Sequence, residues 1–238
     1  MADPAQTADL DVRPPKQRRS REAWRRVLDA GVAILEDGGY EAFTIAAVCE
    51  KAGVAPPAIY ARTSTKDALF LAVYEHGIAR MRDDQLVLLD AARWAGLTPD
   101  PLVRAAVAEM TGISLRHARF LRSVVLISAA HPEVRRRGSV YSTELGERFA
   151  ATVRPVHALV THPDPEAAVR ACFATLFAAT IIRVAYGPGF ATPPVDDETF
   201  TADLGETAVR YLLARPGAAH PGYSHQDVWD QRKRLGDL

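Results

Sequence analysis

Two short apolar stretches on either side of Gly53 constrain this chain more than any other feature. The first, Thr44 to Lys51, reads as a helix. Thr44 can accept a free first-turn N–H, and Ile45, Val48 and Cys49 fall on one face at i, i+3 and i+4. Gly53 supplies a turn, with Val54 as the apolar plug behind it. The second stretch begins at Pro56 and ends near Arg62. Proline suits a first helical turn, where its missing N–H would have no partner. Two short helices joined by a glycine turn form a helix-turn-helix, in which the second helix enters the major groove of DNA and the first braces it across the backbone.

The flanking sequence extends the helical pattern. A helix is expected from Arg21 to Asp37, capped by Ser20. Trp24, Val27, Leu28, Gly31, Ile34 and Leu35 share one face, and Gly38-Gly39 end it. A fourth helix starts at Thr65-Lys66 and runs to about Arg93. Beyond a break at Gly96–Asp100, helices are expected at 101–116, 118–129, 139–160, 165–186 and 197–214. His131-Pro132, Thr161-His162-Pro163 and Gly187-Pro188-Gly189 punctuate them. Strand-like alternation is absent, so the expected class is all-α: an N-terminal helix-turn-helix unit and a larger helical body. The expected division is a flexible basic arm at 1–19, a DNA-binding domain at 20–68, a ligand-binding and dimerisation domain at 69–215 and a polar tail at 216–238.

Composition narrows the function. Of 238 residues, 48% are hydrophobic and 24% charged, which suits a soluble globular protein. The most apolar stretch, Ala167 to Tyr186, is interrupted by Arg170 and Arg183, so no membrane span or membrane partner is expected. No apolar signal-peptide core follows the basic N-terminus, and Cys49 and Cys172 form no spacing motif. Both points suggest buried thiols in a reducing cytoplasm. The net charge is zero, but seven basic residues from Arg13 to Arg26 face one acid, Glu22, a local excess suited to phosphates.

The segment from Gly39 to Leu69 resembles the DNA-binding domain of the TetR family of transcriptional regulators. The matching residues are Gly39-Tyr40, Phe43-Thr44-Ile45, Val48-Cys49, Ala52-Gly53-Val54, Ile59-Tyr60 and Thr65-Lys66-Asp67-Ala68-Leu69. The resemblance implies a partner, double-stranded DNA. Thr44, Tyr60, Thr65 and Lys66 are then phosphate candidates, and Ala55, Pro56, Pro57, Ala61 and Arg62 are candidates for the groove. Arg62 is the one side chain there able to grip guanine with two hydrogen bonds. Arg18 and Arg19 precede the first helix and could follow the backbone or enter the minor groove. The chain departs from the family where Ala55 replaces a capping Ser or Thr, where Pro56-Pro57 removes two N–H groups, and where Thr63 stands in place of a common Phe. Shape and thymine methyls then gain weight in recognition.

The resemblance also implies a homodimer through the helices at 165–186 and 197–214, and an unknown small-molecule inducer held in the body. Val169, Cys172, Phe173, Leu176, Phe177, Ile181 and Val184 cover more than one face of the first helix, as buried contact on several sides requires. The candidate ligand contacts are Met110, His117, Phe120, Tyr141, Phe149 and Phe173, each also a plausible core residue. No cofactor or metal is expected. His157 and His162 do not share a helix face, and no phosphate loop, GxSxG or HExxH motif occurs. An all-helical enzyme and a protein-binding adaptor without DNA binding are the competing classes.

Overall fold

The computed structural model describes residues 18–191 and 193–213. The expected arm up to residue 17 and the tail at 216–238 lie outside the described residues. All regular structure among the described residues is helical. In chain order the α-helices are α1 Arg18–Ala42, α2 Ile45–Ala52, α3 Pro56–Tyr60, α4 Lys66–Asp84, α5 Ala91–Trp94, α6 Pro99–Arg116, α7 Ala118–Ser128, α8 Pro132–Val153, α9 Pro165–Tyr186 and α10 Asp197–Leu213. Short 3₁₀ turns, Gln85–Leu89 and Arg154–Leu159, follow α4 and α8.

Several boundaries differ from expectation, among them the end of the helix expected at 139–160, which gives way to a 3₁₀ turn after Val153. The first helix is already formed at Arg18, so Ser20 lies inside it rather than capping it. Gly39 ends its regular part, with φ at 68° where a side chain would strain the backbone. The fourth helix stops at Asp84, because the 3₁₀ turn, Asp90 as a new N-cap and the short α5 replace its expected last third. The eighth starts at Pro132 rather than 139. His131 caps it through Nδ1, which accepts from the Val134 N–H at 3.4 Å, so the His131-Pro132 break is itself a helix start.

α1, α2, α3 and the first half of α4 form a head around Phe43, Val48, Ile59, Leu69 and Phe70, all fully buried. α1 and α4 approach so closely at Gly31 that an added Cβ would lie 2.4 Å from a Val73 methyl. The head seats on α7 through α1: the Ser123 hydroxyl donates to the Leu35 carbonyl at 2.6 Å and Arg119 pairs with Asp37 at 2.6 Å. In the body, α10 lies along α6, and α9 packs on α6, α7, α8 and α10.

α4 joins head to body and carries an unusual buried charge cluster. Arg137 of α8 reaches Glu75 at 2.6 Å and Glu133 at 2.5 Å, while Arg82 bridges Glu75 at 3.5 Å and Glu144 at 2.8 Å. Buried ions persist only when paired in this way. α9 is long and apolar enough to cross a membrane by length and composition. Even so, its Arg183 is held by Asp197 at 2.6 Å, and helices of the body cover its other face.

Candidate nucleic-acid interface and body cavities

The turn between α2 and α3 forms for local reasons. The Thr44 hydroxyl accepts from the Ala47 N–H at 3.1 Å and starts α2. Gly53 closes it in the left-handed conformation (φ 62°, ψ 44°), and the Val54 N–H donates back to the Cys49 carbonyl at 3.1 Å. Ala55 starts α3 without a side-chain cap, and Pro56 and Pro57 bring no N–H to the same end. Ile59 is fully buried and pins α3 to the head. Ala55, Pro56, Pro57, Ala61 and Tyr60 all remain exposed, Tyr60 to 55%. Thr65 starts α4 by accepting from the Ala68 N–H at 3.0 Å. Thr63, where the resemblance leads one to expect Phe, is buried, and its hydroxyl donates to the Thr65 carbonyl at 3.3 Å.

The basic candidates are placed differently from one another. Lys66 is half-buried, with its ammonium 4.2 Å from the centre of the Tyr40 ring. A cation in the first turn of a helix opposes the helix dipole, and the ring face offsets part of that cost. Tyr40 in turn packs edge-on against Phe70 at 4.8 Å, and its hydroxyl pKa is raised by burial and then by Asp67 and Glu41. Reading the sequence assigned Tyr40 no task beyond its place in the motif; its aromatic ring four residues after Glu36 gave no sign that it would meet Lys66. Arg62 turns back to α1, where its guanidinium donates to the Ser20 hydroxyl at 2.5 Å. Arg18 pairs with Glu22 at 3.0 Å and Arg19 is exposed. Arg26 reaches the Ala52 carbonyl at 3.4 Å and so fastens α1 to the end of α2.

The six ligand candidates do not line one cavity, although Phe149 and Phe173 meet with ring centres 5.9 Å apart. Met110, Phe120 and Phe149 are fully buried in the core, and His117 holds Asp84 at 3.1 Å. Phe173 lines a cavity of about 670 Å³ between α8, α9 and the second 3₁₀ turn, with Glu147, Arg154, Glu166 and Arg170 around it. Tyr141 lines a second cleft of about 330 Å³, adjoining the first at Ser142, whose walls come from α4, α6, α7, α8 and α9. Ile78, Leu121, Val124, Val134, Phe177 and Ile181 make those walls apolar. Sequence periodicity could not separate the residues that line a cleft from those that fill the core, because both face inward.

The residues cited for a wide apolar arc on α9 mostly face the protomer's own core, with Val169, Cys172, Leu176 and Val184 buried. The outward surface of α9 is a different set: Ala171, Ala174, Ala178, Ile182 and Tyr186. Tyr211 adds an exposed ring on α10. No group of His, Cys, Asp and Glu suited to a metal occurs among the described residues.

A helix-turn-helix head joined by one long helix to an all-helical body defines the class: a protein with the fold of helical DNA-binding regulators. The head carries the family signal, since residues 27–73 match the model of bacterial regulatory proteins, tetR family. No curated protein matches the chain. Solved structures share its fold. A TetR transcription regulator from Haloarcula marismortui is 16% identical, with 81% of this chain and 97% of that one covered at a TM-score of 0.61. A transcriptional regulator from Rhodococcus sp. Rha1 is 16% identical, with 81% and 98% covered at 0.59. A TetR-like transcriptional regulator from Rhodococcus sp. RHA1 is 20% identical, with 83% and 97% covered at 0.53.

Proposed function

We propose that the protein is a ligand-responsive dimeric repressor that binds a palindromic DNA operator through its helix-turn-helix and acts in the cytoplasm. The observation that supports this reading most is the head itself. The segment matching the family model holds α3 on the core by Ile59 while leaving Pro56, Pro57, Ala61 and Tyr60 exposed. With α3 uncapped and proline-led, its outward surface offers shape and apolar contact more than hydrogen bonds, so groove fit and thymine methyls dominate readout. Phosphate contact falls to Thr44, Tyr60, Thr65, Lys66, Arg18 and Arg19. Arg62, turned toward Ser20, positions α1 against α3, and the Ser20 bond takes one of its five N–H donors.

Dimerisation through α9 and α10 is supported by the small-residue stripe Ala171, Ala174, Ala178 with Ile182 and Tyr186, since small side chains let two helices approach closely. A two-fold dimer presents two heads to two half-sites. Ligand response is supported by the apolar cleft that touches α4, the helix that begins in the head.

Selection from random duplexes with the purified full-length protein, combined with sedimentation, tests this reading. The expected result is a palindrome with half-sites about one helical turn apart, bound by a dimer. A monomer that retains no duplex at low ionic strength overturns it. Lys66→Ala should weaken all duplexes alike and flatten the log–log salt slope by ~1; an unchanged slope removes Lys66 from the phosphate contacts.

A further inference from the structure

Two cavities compete to hold an effector, and only one touches the helix that would carry its message. The larger is built from α8, the second 3₁₀ turn and α9, away from α4. The smaller takes Tyr74 and Ile78 from α4 itself. A ligand shifts a conformational balance only through contacts that differ between the two states. Occupancy of the smaller cleft bears directly on the helix whose first turn holds Lys66.

The lining of that cleft carries chemical information. Its walls are mostly aliphatic and aromatic, with Ser114, Ser128, Ser139 and Ser142 set among them. Two buried hydroxyls line it, those of Ser114 and Tyr141, and neither has a hydrogen-bond partner among the described residues; Ser114 is the more deeply buried residue. An unmet buried hydroxyl is costly and uncommon in a settled core. Burial raises the Tyr141 pKa to about 12, so its hydroxyl stays protonated and can donate. No carboxylate lines the space, and the one charged lining residue, Arg135, is exposed.

Resting on the ligand-response reading above, we infer that the effector is a compact, mostly apolar molecule without positive charge, bearing an oxygen that hydrogen-bonds Ser114 in the cleft between α4, α6, α7 and α8. The volume of about 330 Å³ sits at the small end of ligand-binding cavities. The apolar walls supply most of the affinity, and the oxygen supplies selectivity, because a hydrocarbon of the same shape leaves the Ser114 hydroxyl unmet. A cation is disfavoured by Arg135 and finds no carboxylate to pair with.

Three probes that share a butylphenyl body test the inference by isothermal titration against the full-length protein: 4-butylphenol, butylbenzene and 4-butylbenzylammonium. The phenol should bind about tenfold more tightly than the hydrocarbon, and the ammonium should show no binding. Ser114→Ala removes an unmet polar group without adding bulk, so it should fold normally. It should close the gap between phenol and hydrocarbon. Equal binding of phenol and hydrocarbon to the unaltered protein, binding of the ammonium, or a gap that survives Ser114→Ala overturns the inference. So does binding of none of the three by a protein that still holds its selected duplex. Release of that duplex is read in the same samples. Probes that bind in the expected order without releasing DNA support the ligand class and instead refute ligand response.

Discussion

Gly77 of α4 faces the ring of Phe120 on α7 with no room for another carbon: an added Cβ would lie 2.2 Å from Cζ. Both residues are buried, and the contact sets how closely the connecting helix lies against the body. Alanine favours a helix interior over glycine by about 1 kcal/mol, so Gly77→Ala should stabilise if only propensity mattered. The ring cannot yield that far within a packed core, and overpacking costs ~1–3 kcal/mol. The expected result is a net fall in the urea midpoint at unchanged slope. A midpoint that stays or rises shows that Phe120 moves freely.

Gly138 of α8 makes the opposite case. There an added Cβ would sit 3.8 Å from the Tyr74 hydroxyl, an ordinary contact. The backbone is helical, so Gly138→Ala loses only the glycine entropy penalty and should gain ~0.5–1 kcal/mol. Thermal unfolding of the two alanine variants side by side separates space from propensity. A lower midpoint for Gly138→Ala means that α8 is more tightly packed at that point than the geometry indicates.

The contrast shows what could be read in the residues alone. The caps at Thr44 and Thr65 and the turn at Gly53 are local events, so their sequence signatures translate directly into geometry. Pro165 to Tyr186 was legible as a whole helix for the same reason, bounded by Asp164 and Gly187. Errors arose where a signal had two local meanings. His131-Pro132 marks a break, yet a proline at the first position also starts a helix, and the His131 ring supplied the cap. The site was legible as a segment but not as a set of contacts. Tyr40 under Lys66 and Ser20 against Arg62 join residues 26 and 42 apart in the chain, and only the packed head brings them together.

The Glu75–Arg137 pair predicts a large stability effect without any contact to DNA. Both side chains are more than nine-tenths buried, and they meet at 2.6 Å. Removing the carboxylate leaves the guanidinium in a dry site with Glu133 as its main remaining partner. Glu75→Ala should cost ~3–5 kcal/mol, toward the lower end because Glu133 still holds Nε. The double change Glu75→Leu with Arg137→Met removes both charges and should recover much of that loss. Urea unfolding of the two variants decides. A double variant no more stable than the single one shows that the charges themselves, and not the orphaned arginine, carry the effect.

Glu133 predicts an acid limit to stability. Hydrogen bonds from Arg136 at 2.9 and 2.7 Å, and then from Arg137, hold its carboxyl at a pKa of about 2 against an ordinary 4.5, with burial opposing the shift. A carboxylate with a depressed folded-state pKa stabilises fully above its unfolded value. That contribution fades as pH falls below about 4.5 and is gone near 2. Glu133→Gln cannot titrate, so the stability gap between it and the unaltered protein should be widest at pH 6 and shrink steadily as the solution is acidified. Urea midpoints of both proteins between pH 6 and pH 3 measure the gap. A gap that stays constant over that range would mean that Glu133 binds its arginines no more strongly folded than unfolded.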